Sequence, residues 1–305
     1  MSVRNLSASV RQRLLNRARA EGRPFNELLQ YYAMERFLYR LSRSRFAGRF
    51  VLKGALLLRV WEAPVGRPTL DIDLLGRMDN EVDAVAEVMR EVLQVPVEPD
   101  GVVFDVGSLE AGRIAEQAEY HGTRVKFRGQ LDSALVRMQV DIGFGDPVHP
   151  AAREEAFPPL LDAPAPVLWC YSRESVVAEK LEAMVRHGAF NSRMKDFYDV
   201  WLLARTFAFD GPTLVEAVRR TFASRETAVS LPLVAFGEGF SVSKGVQWRA
   251  FHTRAAIEHV PDAFEEVVDS IRGFAEPVLA SVQEGSAFDA RWDPLGPWVP
   301  IDPAT

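Results

Sequence analysis

The stretch Phe50–Leu75 reads FVLKGALLLRVWEAPVGRPTLDIDLL, and its two ends decide the fold. FVLKG is a short apolar run that stops at Gly54. ALLLRVWE after it predicts a short helix, and PVGRP a loop. TLDIDLLG (69–76) alternates, with Leu70, Ile72 and Leu74 on one side and Asp71 and Asp73 on the other. That is the period of a strand with one wet face. Carboxylates at i and i+2 of a strand point the same way, and like charges this close are unfavourable without a cation between them. Magnesium suits such a position, because it takes hard oxygen ligands, commonly one or two carboxylates plus substrate phosphates. An Asp-x-Asp occurs by chance in an acidic chain of this length, so its setting must carry the reading.

Gly54 and a later strand supply that setting. Gly54 has no Cβ, so a phosphate can approach the backbone at the turn that closes the first strand. ALVRMQVDIGFGD (134–146) is an apolar strand with one inner carboxylate, Asp141, between Val140 and Ile142. If the strands are neighbours, Asp71, Asp73 and Asp141 converge on one edge, the ligand set for a two-metal in-line displacement at phosphorus. TRVKFRG (123–129) also alternates and puts Arg124, Lys126 and Arg128 on one face. Asp146, just before Pro147, reads as a turn initiator.

Around this core the chain has the balance of an ordinary globular protein, with 305 residues, 48% hydrophobic and 26% charged. No apolar run reaches the roughly 18 residues of a membrane span. The start, MSVRNLSASVRQRLL, lacks the apolar core of a signal peptide. The single cysteine, Cys170, excludes an internal disulfide framework and a thiolate zinc cluster, and reads as a small buried residue. A cytoplasmic location is expected. His121, His149, His187, His252 and His259 are scattered, and no Gly-x-Ser-x-Gly elbow or Walker loop appears.

The net charge of −6 hides an asymmetry, since residues 1–49 hold eleven arginines, no lysine and three acids. Such a segment either meets an anionic partner such as nucleic acid or pairs with the acidic body. Helices are expected over 7–21, capped by Ser7 or Ser9 and stopped by Gly22, and again after Pro24. Asp79–Leu93 is amphipathic, residues 147–168 form a Pro-rich linker, and Ser172 caps a helix that Gly188 ends. Helices follow at 195–206, 212–224 and 262–282, while 225–250 reads as irregular. Tyr198 and Trp201 read as core. Lys195 and Asp199 are spaced for an ordinary i,i+4 ion pair. The expected fold class is α+β: a mixed sheet carrying basic N-terminal helices over 1–165, a helical domain over 166–284, and a surface tail over 285–305.

Strand-Gly, helix, strand with Asp-x-Asp and a third Asp on a later strand resembles the nucleotidyltransferase fold. More narrowly, the chain resembles the AbiEii/AbiGii toxins, which include the MenT-type toxins. The matching stretches are FVLKGALLL, RPTLDIDLLG, QVDIGFGDPV, VVAEKLEAMVRHG and NSRMKDFYDVWLLAR, spanning about residues 48–206 in the expected order. The sequence departs from the wider superfamily at Ala55, where Gly or Ser usually follows the glycine.

The resemblance implies a role for each position. Asp71 and Asp73 look like metal ligands, and Asp141 would complete the set and accept the proton of the attacking hydroxyl. Lys53, Gly54 and Ala55 would lie against the triphosphate, and Arg67 would touch a phosphate or balance the carboxylates. Lys180 looks like the lysine that stabilises departing pyrophosphate, and Asp199 like a downstream acidic site residue, one helical turn after Asp196. The implied activity is magnesium-dependent transfer of nucleotides from a nucleoside triphosphate, CTP or GTP, to the 3′ end of tRNA. That would block aminoacylation and translation in a toxin countered by an AbiEi-type antitoxin. Two alternatives are a small-molecule or protein hydroxyl as acceptor, and a nucleotide-binding module without turnover.

Overall fold

The structure, a computed structural model, describes residues 5–63, 67–114, 122–257 and 259–301. His121, part of the loop expected at 64–68 and the end of the expected tail lie outside these. Two compact units are formed. One comprises Met1–Glu62, Pro68–Gly145 and Arg153–Cys170, and the other Ala63–Arg67, Asp146–Ala152 and Tyr171–Thr305. The α+β class is borne out.

The first unit starts with α1 (Leu6–Glu21) and α2 (Phe25–Arg43). Asn5, not a serine, caps α1, its side-chain oxygen accepting from the Ala8 amide at 3.1 Å. The helix begins at Leu6, so Ser7 and Ser9 fall inside its first turn and not before it. Gly22 closes it in the left-handed conformation that glycine adopts without strain.

Every residue of α2 from Leu28 to Leu41 is buried, charged ones included. Burial of that kind requires internal partners. Arg36 donates to Glu35 at 2.5 Å, and Arg40 donates to Asp100 at 2.7 and 3.3 Å with its guanidinium 4.9 Å from the Phe104 ring. Arg13, Arg17, Arg23 and Arg45 are also paired with acids. Arg13, Arg40 and Arg45 thus pair with acids beyond the segment, and Arg17, Arg23 and Arg36 with the segment's own Glu21, Glu27 and Glu35.

The sheet is built from β1 (Phe50–Lys53), β2 (Asp71–Gly76), β3 (Val102–Arg113), β4 (Thr123–Leu131), β5 (Ala134–Phe144), β6 (Arg153–Ala156) and β7 (Val167–Cys170), with the short α3 (Leu57–Val60) and α4 (Val82–Leu93) between strands. Its order is β3-β4-β5-β2-β1-β7-β6. Only β2–β5 and β1–β7 run parallel. Ile72, Leu74, Val140 and Ile142 are fully buried on the central strands, as the alternation requires. Phe37 of α2 meets Phe104 and Phe127 of the sheet with ring centres 6.4 and 5.4 Å away. The linker read at 147–168 in fact contributes β6, an exposed and charged edge strand of the type that discourages edge pairing.

The second unit contains α5 (Arg173–His187), α6 (Met194–Thr206), β8 (Phe209–Asp210), α7 (Gly211–Ser224), α8 (Glu238–Arg254), α9 (Phe264–Glu284), β9 (Ala290–Trp292) and β10 (Trp298–Pro300). Ser172 caps α5 by accepting from the Ser175 amide at 3.1 Å, and Gly188 ends it. Tyr198 and Trp201 are buried as expected. Two readings are corrected. Residues 238–254 form a helix, although only Phe240, Ser241 and Trp248 are buried along it, which is why no helical period shows in the sequence. The tail pairs as strands, with Trp292 buried and its indole donating to the Ala204 carbonyl at 2.6 Å.

Candidate active site

The site of the first unit is the sheet face opposite Ile72 and Val140. Asp73 on β2 is the register neighbour of Asp141 on β5, and Asp71 of Gln139. Register partners present their side chains to the same face, and adjacent strands lie about 4.8 Å apart. Asp71, Asp73 and Asp141, expected to converge from distant parts of the chain, do share one face, and all three are only partly buried.

Lys53, the last residue of β1, is the register partner of Asp73 on its other side. Gly54 follows with φ at +74°, and a Cβ there would fall on the Asp73 carboxylate. The glycine is therefore required twice, by its backbone angle and by the side chain that lies over it. Ala55 is buried at the start of the short helical turn after it.

Asp141 is not free to act as drawn from the sequence. Arg124, its cross-strand partner on β4, grips it with Nε to Oδ1 at 2.8 Å and Nη2 to Oδ2 at 2.8 Å, and Gln139 Nε2 donates to Oδ2 at 3.3 Å. Such a two-point pair is among the stronger charge-assisted contacts. Among the described residues no three His, Cys, Asp or Glu side chains are gathered as a metal-binding group. Asp71, Asp73 and Asp141 thus share the face, with Asp141 held by Arg124 and Gln139.

This pairing was missed from the sequence, although a signal existed. Leu131 faces Ala134 across a two-residue turn at Asp132 and Ser133, with Asp132 at φ +53°. Counting back from that turn sets Arg124 against Asp141. The expected basic face also divides, since Arg124 serves Asp141 and Arg128 meets Asp105 at 3.0 Å, while Lys126 is exposed.

The remaining expected site residues form a cluster of their own in the second unit. Arg67 forks onto Asp199 at 2.8 and 2.7 Å. Lys180 Nζ lies 2.7 Å from Asp199 and 2.9 Å from Asp196, and Arg193 reaches Asp196 at 2.5 Å. Asp199 thus pairs with Arg67 and Lys180, while Lys195, its expected partner, is exposed. Burial alone pushes the Asp199 carboxyl up, but Arg67 and Lys180 hold it below its ordinary value. Burial likewise lowers Lys180, and Asp196 and Asp199 more than reverse it. Asp146 is no turn initiator, being buried against Arg225 at 2.9 Å, which also meets Glu182 at 2.7 Å.

A family model described as the nucleotidyl transferase AbiEii toxin of type IV toxin–antitoxin systems matches residues 36–290. The chain belongs to the AbiEii family. The match covers both units' candidate residues, from Lys53 to Asp199. Two crystal structures from Helicobacter pylori are similar to this AbiEii chain. A protein described as a candidate nucleotidyltransferase has 13% identity and a TM-score of 0.48, covering 86% of this chain and 98% of its own. JHP933 has 12% identity and a TM-score of 0.47, covering 85% and 94%. No curated protein sequence matches the chain. Among the described residues of this AbiEii protein no helix is long and apolar enough to cross a membrane.

Proposed function

We propose that this AbiEii chain is a magnesium-dependent nucleotidyltransferase that moves a nucleotide from a nucleoside triphosphate to the 3′ hydroxyl of tRNA. The observation that carries the proposal is Asp73, seated over Gly54 on one side and in register with Asp141 on the other. The donor set fits a magnesium ion: two same-face carboxylates, hard oxygens only, on a face that leaves room for substrate phosphates. Asp71 and Asp73 would hold the ion, which when bound supplies positive charge for the triphosphate.

In the reaction the acceptor oxygen bonds to the α-phosphorus, the bond from that phosphorus to the bridging oxygen breaks, and pyrophosphate departs. Lys53 and Gly54 lie at the leaving side. The hydroxyl proton passes to Asp141, whose carboxylate becomes available when Arg124 exchanges it for an incoming phosphate. Arginine suits that exchange, because its fork matches carboxylate and phosphate alike. Blocking the acceptor end of tRNA would stop translation, and a cognate antitoxin would counter the effect.

Incubation of the protein with magnesium, labelled nucleoside triphosphates and total RNA tests the reading. Label should appear in tRNA with wild type and vanish with Asp71→Asn. Label on protein or metabolite, with none on RNA, moves the acceptor to those classes. Triphosphate binding with no labelled product in any fraction leaves a binding module. Expression of wild type should arrest growth of a host lacking the antitoxin, and Asp71→Asn should not.

A further inference from the structure

We infer that the open face of β4 and β5 is the seat of the RNA strand that carries the acceptor hydroxyl, an assignment that rests on the transfer reading above. A groove of about 670 Å³ runs along this face, bordered by Asp71, Lys126, Arg128, Arg137 and Gln139 and, on β3, by Glu110, the register partner of Lys126, so that three basic side chains stand against two carboxylates. It begins at a candidate metal ligand and continues into positive charge. Lys126 is the register partner of Gln139, which in turn neighbours Asp71.

Arg128 and Arg137 face each other directly across the antiparallel pair. Like charges in that position repel and are unfavourable for the sheet. An anion lying between them removes the penalty. Arg128 has a contact with Asp105 at 3.0 Å, but both side chains are more than half exposed, where such pairs count for little. Among the described residues no ion pair engages Lys126 or Arg137, and both are exposed.

The sheet order tells which substrate belongs here. Reading across β1, β2, β5 and β4, one meets Lys53 with Gly54, then the carboxylates, then the basic groove. An in-line displacement places nucleophile and leaving group on opposite sides of the phosphorus. With pyrophosphate on the β1 flank, the attacking hydroxyl enters from the β5 and β4 flank. Lys126 and Arg128 are two residues apart on one strand, a rise of about 6.8 Å. That matches the step between successive phosphates of an extended single strand. Contacts of this kind fix position without reading bases, so base choice lies outside this groove.

The test is fluorescence anisotropy of the full chain with a short 5′-labelled single-stranded RNA, without nucleotide, across a salt series. Lys126→Ala with Arg137→Ala should weaken binding about tenfold and flatten the slope of log K against log salt by about 1.4. Lys126→Arg with Arg137→Lys should retain both. Calorimetric affinity for the magnesium–triphosphate should be unchanged in either pair. The inference is overturned if wild type does not bind the RNA, or if the alanine pair, melting as wild type does, binds it with unaltered affinity and slope. It is equally overturned if the alanine pair keeps RNA and loses only the purified antitoxin. Because binding is read without turnover, a wild type that binds RNA through this groove but transfers nothing counts against the transfer reading instead.

Discussion

Two sets of aspartates in this protein are built in opposite ways. In the second unit, Asp196 and Asp199 are buried and every carboxylate meets guanidinium or ammonium, with Arg67, Lys180 and Arg193 supplying the charge. In the first unit, Asp71 and Asp73 sit two residues apart on the same side of a strand, partly exposed, with Asp141 alongside. Burial with matched charge holds a helix in place. Partly exposed carboxylates that share one face of a strand are placed where a cation can reach them. The residue type is the same, and its surroundings decide whether it serves stability or chemistry.

Substitution should separate the two sets cleanly. Asp73→Asn is expected to lower nucleotide transfer by at least about 10³-fold while shifting stability by less than Asp199→Ala does. Label incorporation and a denaturant melt of the same preparation check both halves. A large loss of stability at Asp73 would erase the distinction. Asp199→Ala should do the reverse, destabilising the fold by about 3–5 kcal/mol because buried Arg67 loses the carboxylate it forks onto and buried Lys180 keeps only Asp196. A denaturant midpoint equal to that of wild type would show that the network holds nothing.

Gly54→Ala should cost about 1–3 kcal/mol, since the backbone angle is strained for alanine and the new methyl meets the Asp73 carboxylate. Its transfer activity should fall together with its stability, which makes it the one position where both properties move. Acid gives a graded test. Both Asp196 and Asp199 are held below their ordinary values, so their contribution is present above the unfolded value of about 3.9 and is lost as pH falls below it. Denaturant midpoints between pH 3 and 7 should decline at the acid end more steeply for wild type than for Asp199→Asn. Lys195→Ala, at an exposed position outside the network, should change stability by no more than about 0.5 kcal/mol.

The central sheet was legible because its alternation is strict. Asp71, Ile72, Asp73 and Leu74 assign their own faces, and the same period in Val140, Asp141 and Ile142 places the third carboxylate. Gly54 was legible as a required glycine, but not its reason, because the Asp73 side chain that fills the space above it comes from another strand. Arg124 was misread as part of a uniform basic face, since its partner depends on hairpin register and not on its own neighbours in sequence. The Lys195–Asp199 spacing was misleading for a related reason. Local spacing offers a weak surface pair, whereas Arg67, distant by more than a hundred residues, offers a fork inside the unit. Helix α8 was invisible because its burial is confined to a few positions, and strand β9 because three residues are too short to show a period.

The parallel pairing of β2 with β5 carries one last implication. Between Gly76 and Ala134 the chain must emerge, build α4, β3 and β4, and turn back before β5 can slot in beside β2. During synthesis, then, a ribosome holding a chain that has not yet released Phe144 carries Asp71 and Asp73 without Asp141 beside them. On the reading proposed here, a nascent copy stays harmless to the machinery making it until that strand is out, and any truncation upstream of it yields an innocuous fragment.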